Sequence, residues 1–183
     1  MPNHVKTIIT IESFHNTNAV IDAITKIEDG KRVVDFNTLI PMPDYIYHGD
    51  LGREEMKKYG KNNWYNWSIC NWGTKWNAYD CEFYDDTVEF CTAWAAPEPI
   101  YRALGKKFPE YKFIIQFADE DLGSNCGEFI IQNTKVSYIS MDMRDVGNKK
   151  ALEFACKVWG ETPEEHGYKL KNGEYVYAEE DDE

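Results

Sequence analysis

A strand–helix–strand order is predicted both before and after a long middle segment. This repeated order is the sequence feature that most restricts the possible folds. Residues 5–11 place every second side chain on one face, which is typical of a half-buried strand. Residues 19–27 carry apolar side chains at helical spacing, with Gly30 placed to end the helix. A second strand is predicted over 33–40, before Pro41.

The same order returns after residue 86. Residues 87–94 form a strand pattern, which places Trp94 on the same face as Val88, Phe90 and Thr92. A helix that begins at two prolines is predicted over 97–108, and a further strand over 112–118. Two strand–helix–strand units predict an α+β fold, a ferredoxin-like sandwich in which helices cover one face of an antiparallel sheet.

Extra elements are predicted near the C-terminus: a hairpin over 127–141, a helix over 148–159 and a last hairpin over 168–177. With 183 residues the chain fits one domain. We expect this domain to span 1–177, with a tryptophan-rich insertion at about 41–86 and an acidic tail at 178–183.

Charge narrows the classes of partner. The chain has 20 basic and 32 acidic residues and a formal net charge of -12, and its last five residues are all acidic. Such a potential repels phosphate backbones and anionic lipid, so direct nucleic-acid binding is disfavoured and a basic protein partner is favoured. The sequence shows neither a secretory signal nor a long apolar run, so we expect a cytoplasmic protein that does not bind membranes.

No catalytic, metal-binding or cofactor-binding motif is present. The five cysteines are scattered without a C-x-x-C pair, and the four histidines stand alone. We therefore predict no metal, no cofactor and no catalytic residue, and favour a protein that is not an enzyme. A Cys–His dyad assembled only by the fold remains open.

The insertion holds the best candidate for a binding site. Four of the six tryptophans fall between residues 64 and 76. Flat rings can stack on a base, a sugar or a planar cation, and a lysine among them can neutralise an anion. The alternative, which we favour, is a small core that keeps the insertion ordered. The candidate ligand- or partner-binding residues are Trp64, Trp67, Asn71, Trp72, Thr74, Lys75 and Trp76.

Five stretches together resemble a family of uncharacterised small proteins with a ferredoxin-like domain, carried by phages and plasmids (Api-type phage proteins). The resemblance covers about residues 3–140. It implies a ferredoxin-like fold, an origin in a mobile element and a place in the cytoplasm of a bacterial host, and it implies neither catalytic residues nor an iron–sulfur cluster. The stretches are 3–5 (NHV), 36–43 (FNTLIPMP), 71–76 (NWGTKW), 90–97 (FCTAWAAP) and 121–127 (DLGSNCG).

Three functions follow as hypotheses. The first is a non-enzymatic counter-defence protein that inhibits a host nucleic-acid-handling system by placing its acidic surface on a basic host protein. The second is a protein that binds or sequesters a small nucleotide-like signal in the tryptophan-rich insertion. The third is an enzyme that acts on nucleotides through Lys75 and nearby carboxylates.

Overall fold

A six-stranded antiparallel sheet forms the centre of the protein, in a computed structural model that describes residues 3–13 and 16–178. Its strands are β1 (His4–Glu12), β4 (Tyr79–Phe83), β5 (Thr87–Ala93), β6 (Lys112–Asp119), β7 (Cys126–Gln132) and β8 (Lys135–Ser140). They run in the order β4-β5-β1-β6-β7-β8. Two separate hairpins pair β2 (Thr25–Glu28) with β3 (Lys31–Val34), and β9 (Tyr168–Lys171) with β10 (Glu174–Tyr177).

Six α-helices and two short 3-10 helices accompany these strands in the part of the chain that the structure describes. The α-helices are α1 (Asn18–Ala23), α2 (Arg53–Tyr59), α3 (Trp64–Asn71), α4 (Glu98–Lys107), α5 (Met143–Val146) and α6 (Asn148–Trp159). The 3-10 helices are Phe36–Thr38 and Pro163–His166. The predicted α+β class, the antiparallel sheet and the C-terminal hairpin are confirmed.

The main core lies between one face of the sheet and the helices α1 and α4. Alternate residues of β1 point into it and are fully buried, as their spacing predicts. Helix α4 contributes Ile100, Tyr101 and Leu104 to the same core. It approaches β7 so closely that a Cβ at Gly105 would overlap the Cγ2 of Ile131, and therefore only glycine fits there.

The opposite face of the sheet is covered by the C-terminal helix α6. Ala155 and Val158 of this helix pack with Ala118 of β6 and Cys126 of β7, next to the partly buried Ile8. Helix α6 thus belongs to the elements added after the sandwich, and it gives the sheet a second, smaller core. Burial on both faces explains why β6 and β7 read as nearly continuous apolar runs.

The prediction of a helix over 19–27 is wrong in its second half. Helix α1 ends at Ala23, and residues 25–28 form β2 instead. Asp29 and Gly30 both have positive φ, 48° and 77°, and they make the tight turn of the β2–β3 hairpin. Gly30 therefore turns a hairpin and does not end a helix, and Ile27 is 71% exposed.

The predicted strand over 33–40 is also shorter than expected, because β3 ends at Val34 and a 3-10 helix follows. Asp35 causes the change, since its side chain accepts a hydrogen bond from the backbone N–H of Asn37 at 3.1 Å. The β2–β3 hairpin stays outside the main sheet. The edge strand next to β5 is β4, which comes from the insertion.

Among the described residues, no helix is both long enough and apolar enough to span a bilayer. All five cysteines are free, and three of them are buried: Cys91, Cys126 and Cys156. The acidic residues 179–183, most of the predicted tail, lie outside the described residues.

We expect one buried hydrogen bond to contribute measurably to stability. Thr7 Oγ1 and the phenol of Tyr101 lie 2.7 Å apart and are both fully buried. Tyr101→Phe and Thr7→Val each leave one buried polar group without its partner, so each change should lower the free energy of unfolding by about 1–3 kcal/mol. The double variant should lose less than the sum of the two. Urea unfolding measures all three.

Tyr138→Phe serves as the control, because the Tyr138 side chain is 51% exposed and its change should fall within about 0.5 kcal/mol. Additive losses in the double variant would contradict the pairing of Thr7 with Tyr101.

Candidate functional site

The tryptophan-rich insertion is built around the start of helix α3. Asn63 is fully buried, and its side-chain oxygen accepts a hydrogen bond from the backbone N–H of Asn66 at 2.9 Å, which caps the helix. Its amide nitrogen donates to the carbonyl of Gly60. One buried asparagine thereby fixes where α3 begins and how Trp64 and Trp67 are presented.

Trp72 anchors the insertion to the main core. Its side chain is only 4% exposed, and its indole Nε1 donates to the carbonyl oxygen of Ile40 at 2.9 Å. It makes edge-to-face contacts with Phe36 at 5.7 Å and with Trp67 at 5.3 Å between ring centroids. For Trp72 and Trp67, therefore, the structure supports the packing interpretation.

Two further candidate residues hold the backbone of the insertion in place. The Thr74 side chain is 2% exposed and donates to the carbonyl of Ala93, at the end of β5, at 2.7 Å. The Asn71 amide donates to the carbonyl of Trp67 at 2.8 Å. The donor groups of both side chains already bond to the backbone, so these groups are not free to bind a ligand.

Three tryptophans border a solvent-open cavity of about 320 Å³, which we call the tryptophan pocket. This volume is at the lower end of the range for small-molecule sites. The Trp64 indole is oriented by a hydrogen bond to the carbonyl of Gly49 at 3.2 Å. The pocket is lined by Asn37, Met42, His48, Trp64, Ser68, Trp72, Trp76 and Asn77.

A buried carboxylate holds the polar side of this pocket. Asp35 Oδ1 accepts hydrogen bonds from the side-chain amides of Asn37 at 2.9 Å and Asn77 at 2.8 Å. Burial alone would raise the pKa of Asp35, but these hydrogen bonds and the nearby ammonium of Lys26 hold its pKa below the usual value. The two amides are therefore fixed in orientation by an ionised carboxylate.

Lys75 lies beside the tryptophan pocket and not among its lining residues. Its ammonium lies 4.4 Å from the ring centroid of Trp76 and 4.8 Å from that of Trp94. Of the seven candidate residues, Trp64, Trp72 and Trp76 thus meet at one cavity. Trp67, Asn71 and Thr74 do not line the cavity; they hold its surroundings in place through Trp72, the carbonyl of Trp67 and the carbonyl of Ala93. Lys75 lies beside the cavity.

The sequence pattern missed several residues of this site. Alternation along β5 places Trp94 inward, yet its φ is 72° and its side chain is 42% exposed, because the chain turns at the end of the strand. The Ala95-Ala96-Pro97 run after it was the available signal for a corner. His48 and Met42 have no sequence signal, since they join the pocket only through the fold.

A larger cleft of about 720 Å³ lies near the start of α5. The Asp142 carboxylate within it accepts hydrogen bonds from the guanidinium of Arg144 and from the backbone N–H of Asn125. The Arg144 hydrogen bonds hold the pKa of Asp142 well below its usual range. Because the charges of this cleft already pair with each other, we favour the tryptophan pocket as the site.

A third cleft, of about 330 Å³, lies on the face of the sheet that α6 covers. We call it the acidic cleft; its lining includes two histidines and three carboxylates, namely His4, Asp80, Glu120, Glu161 and His166. Among the described residues, no group of three or more histidine, cysteine or acidic side chains is placed to hold a metal ion.

The different roles of Trp72 and Trp76 predict different losses of the free energy of unfolding when each is replaced. Trp72→Ala empties a site in the main core, so it should lower the free energy of unfolding by about 3–5 kcal/mol. Trp76→Ala removes a partly buried ring at the border of the pocket and should cost less, about 1 kcal/mol. Chemical unfolding of both variants gives the two numbers, and equal losses would contradict the assignment.

Residues 71–161 match a family described as a ferredoxin-like domain in Api92-like protein. No curated protein and no solved structure matches the chain. The matched residues run from the end of α3, through Trp72 and β4 to β8, to just past the end of α6. Over this part the chain is similar to that ferredoxin-like domain, which supports the family that the five sequence stretches indicate.

Proposed function

We propose that the protein is a non-enzymatic binding protein of a phage or mobile element, and that the tryptophan pocket takes a flat, nucleotide-like small molecule. The observation that carries this proposal is a solvent-open cavity bordered by the indoles of Trp64, Trp72 and Trp76. Aromatic side chains bind a base through its ring faces, and each such contact is worth about 1–3 kcal/mol.

Rigidity supports the same proposal. Trp72 is held by the core and by Ile40, and Trp64 is held by Gly49, so these two rings do not need to be ordered when a ligand enters. A preorganised pocket loses less conformational entropy on binding. The amide nitrogens of Asn37 and Asn77 donate to Asp35. Their side-chain oxygens accept from the backbone N–H groups of Met42 and Phe36, so the polar side of the pocket is rigid as well.

The lining of the pocket favours binding over catalysis. It includes a single titratable side chain, His48, next to aromatic, amide, hydroxyl and thioether groups. General acid–base catalysis needs a titratable side chain within hydrogen-bond reach of the reacting group, and His48 is the one such group in this lining. Lys75, which would serve an enzyme in the third hypothesis, has its ammonium between the rings of Trp76 and Trp94.

The test uses the full chain and a panel of nucleobases, nucleosides and nucleotides, with tryptophan fluorescence and calorimetry as readouts. At least one member should bind, and Trp64→Ala and Trp76→Ala should each weaken that binding by roughly tenfold, the scale of one lost stacking contact. Tyr138→Ala removes an exposed ring outside the pocket and should leave the affinity unchanged.

The proposal fails if no planar compound of the panel binds at millimolar concentration. It also fails if both tryptophan variants remain folded and bind as the unmodified protein does. Circular dichroism of each variant separates a lost ligand from a lost fold.

A second candidate function is favoured by the acidic cleft. Asp80, Glu120 and Glu161 line it, and although Glu161 lies 2.6 Å from the imidazole of His166, the carboxylates outnumber this one contact. Burial, together with the charges of Glu161 and its acidic neighbours, raises the pKa of the Cys156 thiol to about 11. We infer that this face holds a basic, nucleic-acid-handling host protein in place of its nucleic acid, as the first hypothesis of a counter-defence inhibitor requires.

Capture from a bacterial lysate tests this second function. The unmodified protein should retain a basic nucleic-acid-handling protein, with retention that falls steeply as salt rises. The double variant Glu120→Gln/Glu161→Gln should retain less of it, while Glu54→Gln/Glu110→Gln, with the same change in charge elsewhere, should retain as much as the unmodified protein. Equal retention by both double variants, or capture of acidic proteins only, would argue against the acidic cleft.

A further inference from the structure

Two tryptophans that are distant in sequence enclose one cation. The ammonium of Lys75 lies 4.4 Å from the ring centroid of Trp76 and 4.8 Å from that of Trp94, so it contacts two indoles at once. Among the described residues, Lys75 takes part in none of the ion pairs within 4.0 Å. The two rings, which we call the indole clamp, are therefore its main protein partners.

The backbone of Trp94 is strained, and this strain positions the ring. Its φ of 72° lies in the left-handed region, where a residue with a Cβ costs about 1–2 kcal/mol. Its N–H donates to the carbonyl of Asn3 at 2.9 Å, and its carbonyl accepts from the Asn125 amide at 3.3 Å. Strain held by surrounding contacts is typical of functional positions.

The residues on either side of Trp94 are fixed as well. Thr74 donates to the carbonyl of Ala93 at 2.7 Å, and Thr92 donates to that of Ala95 at 2.9 Å. Yet the Trp94 side chain is 42% exposed, so this order does not serve to bury it. An exposed ring on a fixed corner is ready to contact something outside the chain.

We propose that the indole clamp is a binding site for an organic cation, the guanidinium or ammonium group of a basic protein partner, which replaces the ammonium of Lys75. The present occupant shows which chemistry fits between the rings. The net charge of -12 attracts cationic groups and so raises their concentration near the protein surface. Arginine is the favoured occupant, because its planar guanidinium also stacks on aromatic faces.

Lys75 acts as an internal competitor in this site. Its side chain has a flexible four-carbon stem and can leave the clamp without any movement of the backbone. A partner's cation must displace it and therefore binds more weakly than it would to an empty clamp. The indole clamp and the tryptophan pocket share Trp76. Binding of a cation in the clamp needs no ligand in the pocket, so the proposed cation site and the proposed nucleotide-like ligand are tested independently.

The test removes the competitor. The probe is N-acetyl-arginine amide, and its neutral isostere N-acetyl-citrulline amide is the chemical control; binding to the full chain is followed by the NMR shifts of the indole N–H groups. Lys75→Met should bind the arginine probe tighter than the unmodified protein by roughly tenfold, the scale of one partly desolvated cation–π contact. The citrulline probe should not bind.

Lys58→Met is the matched control variant. Lys58 also lies over a ring, 4.9 Å from the centroid of Tyr59, but the substitution changes the net charge equally without opening the indole clamp. It should leave the affinity for the arginine probe unchanged. Adding Trp94→Ala to Lys75→Met should abolish the gain.

Three results would overturn the proposal: no gain in Lys75→Met, the same gain in Lys58→Met, or a gain that survives the loss of Trp94. If Lys75→Met does not fold, Lys75→Gln removes the same charge with a polar side chain, and the same expectations apply to it.

Discussion

The burial of Trp72 connects the two parts of this protein. Its ring packs against Phe36 in the main core, while its indole N–H reaches back to Ile40 and closes the loop that enters the insertion. A segment of more than forty residues with short helices of its own has little reason to stay ordered in water. Because one large side chain of that segment is shared with the sheet, the insertion becomes part of the fold and its other tryptophans acquire fixed positions.

Four of the five stretches that carry the family resemblance, 3–5, 71–76, 90–97 and 121–127, meet at one end of the sheet. The register places the start of β1, the end of β5, the end of β6 and the start of β7 side by side. There the amides of Asn3 and Asn125 both donate to the carboxylate of Asp119, and Thr74 ties the insertion to β5. Short motifs far apart in sequence therefore form one hydrogen-bonded unit, which fixes the corner at Trp94 beside the candidate site.

Local patterns predicted the elements whose neighbours agree with them. The alternation of β1 and the helix over 148–159 were read correctly because burial follows their own periodicity. The hairpin over 168–177 was read correctly although it is mostly exposed, because its turn residues determine it. Thr25–Glu28 was misread as helix, since Asp29 and Gly30 pair it with β3 in a hairpin. The site was predicted in composition but not in arrangement: which tryptophan is core and which is wall depends on Ile40, Gly49 and the turn at Trp94, and none of these is visible in the pattern of residues 64–76.

The central claim is that the clustered tryptophans divide by exposure: Trp72 is buried in the core and forms the floor of the tryptophan pocket, while Trp64 and Trp76 border its opening. The most direct measurement is 19F NMR of the full chain carrying 5-fluorotryptophan, with each resonance assigned by substitution and a soluble nitroxide added to the solvent. The structure predicts that the nitroxide broadens the resonances of Trp64, Trp76 and Trp94 and leaves that of Trp72 sharp. Broadening of Trp72 equal to theirs, or full protection of Trp64 and Trp76, would contradict the account.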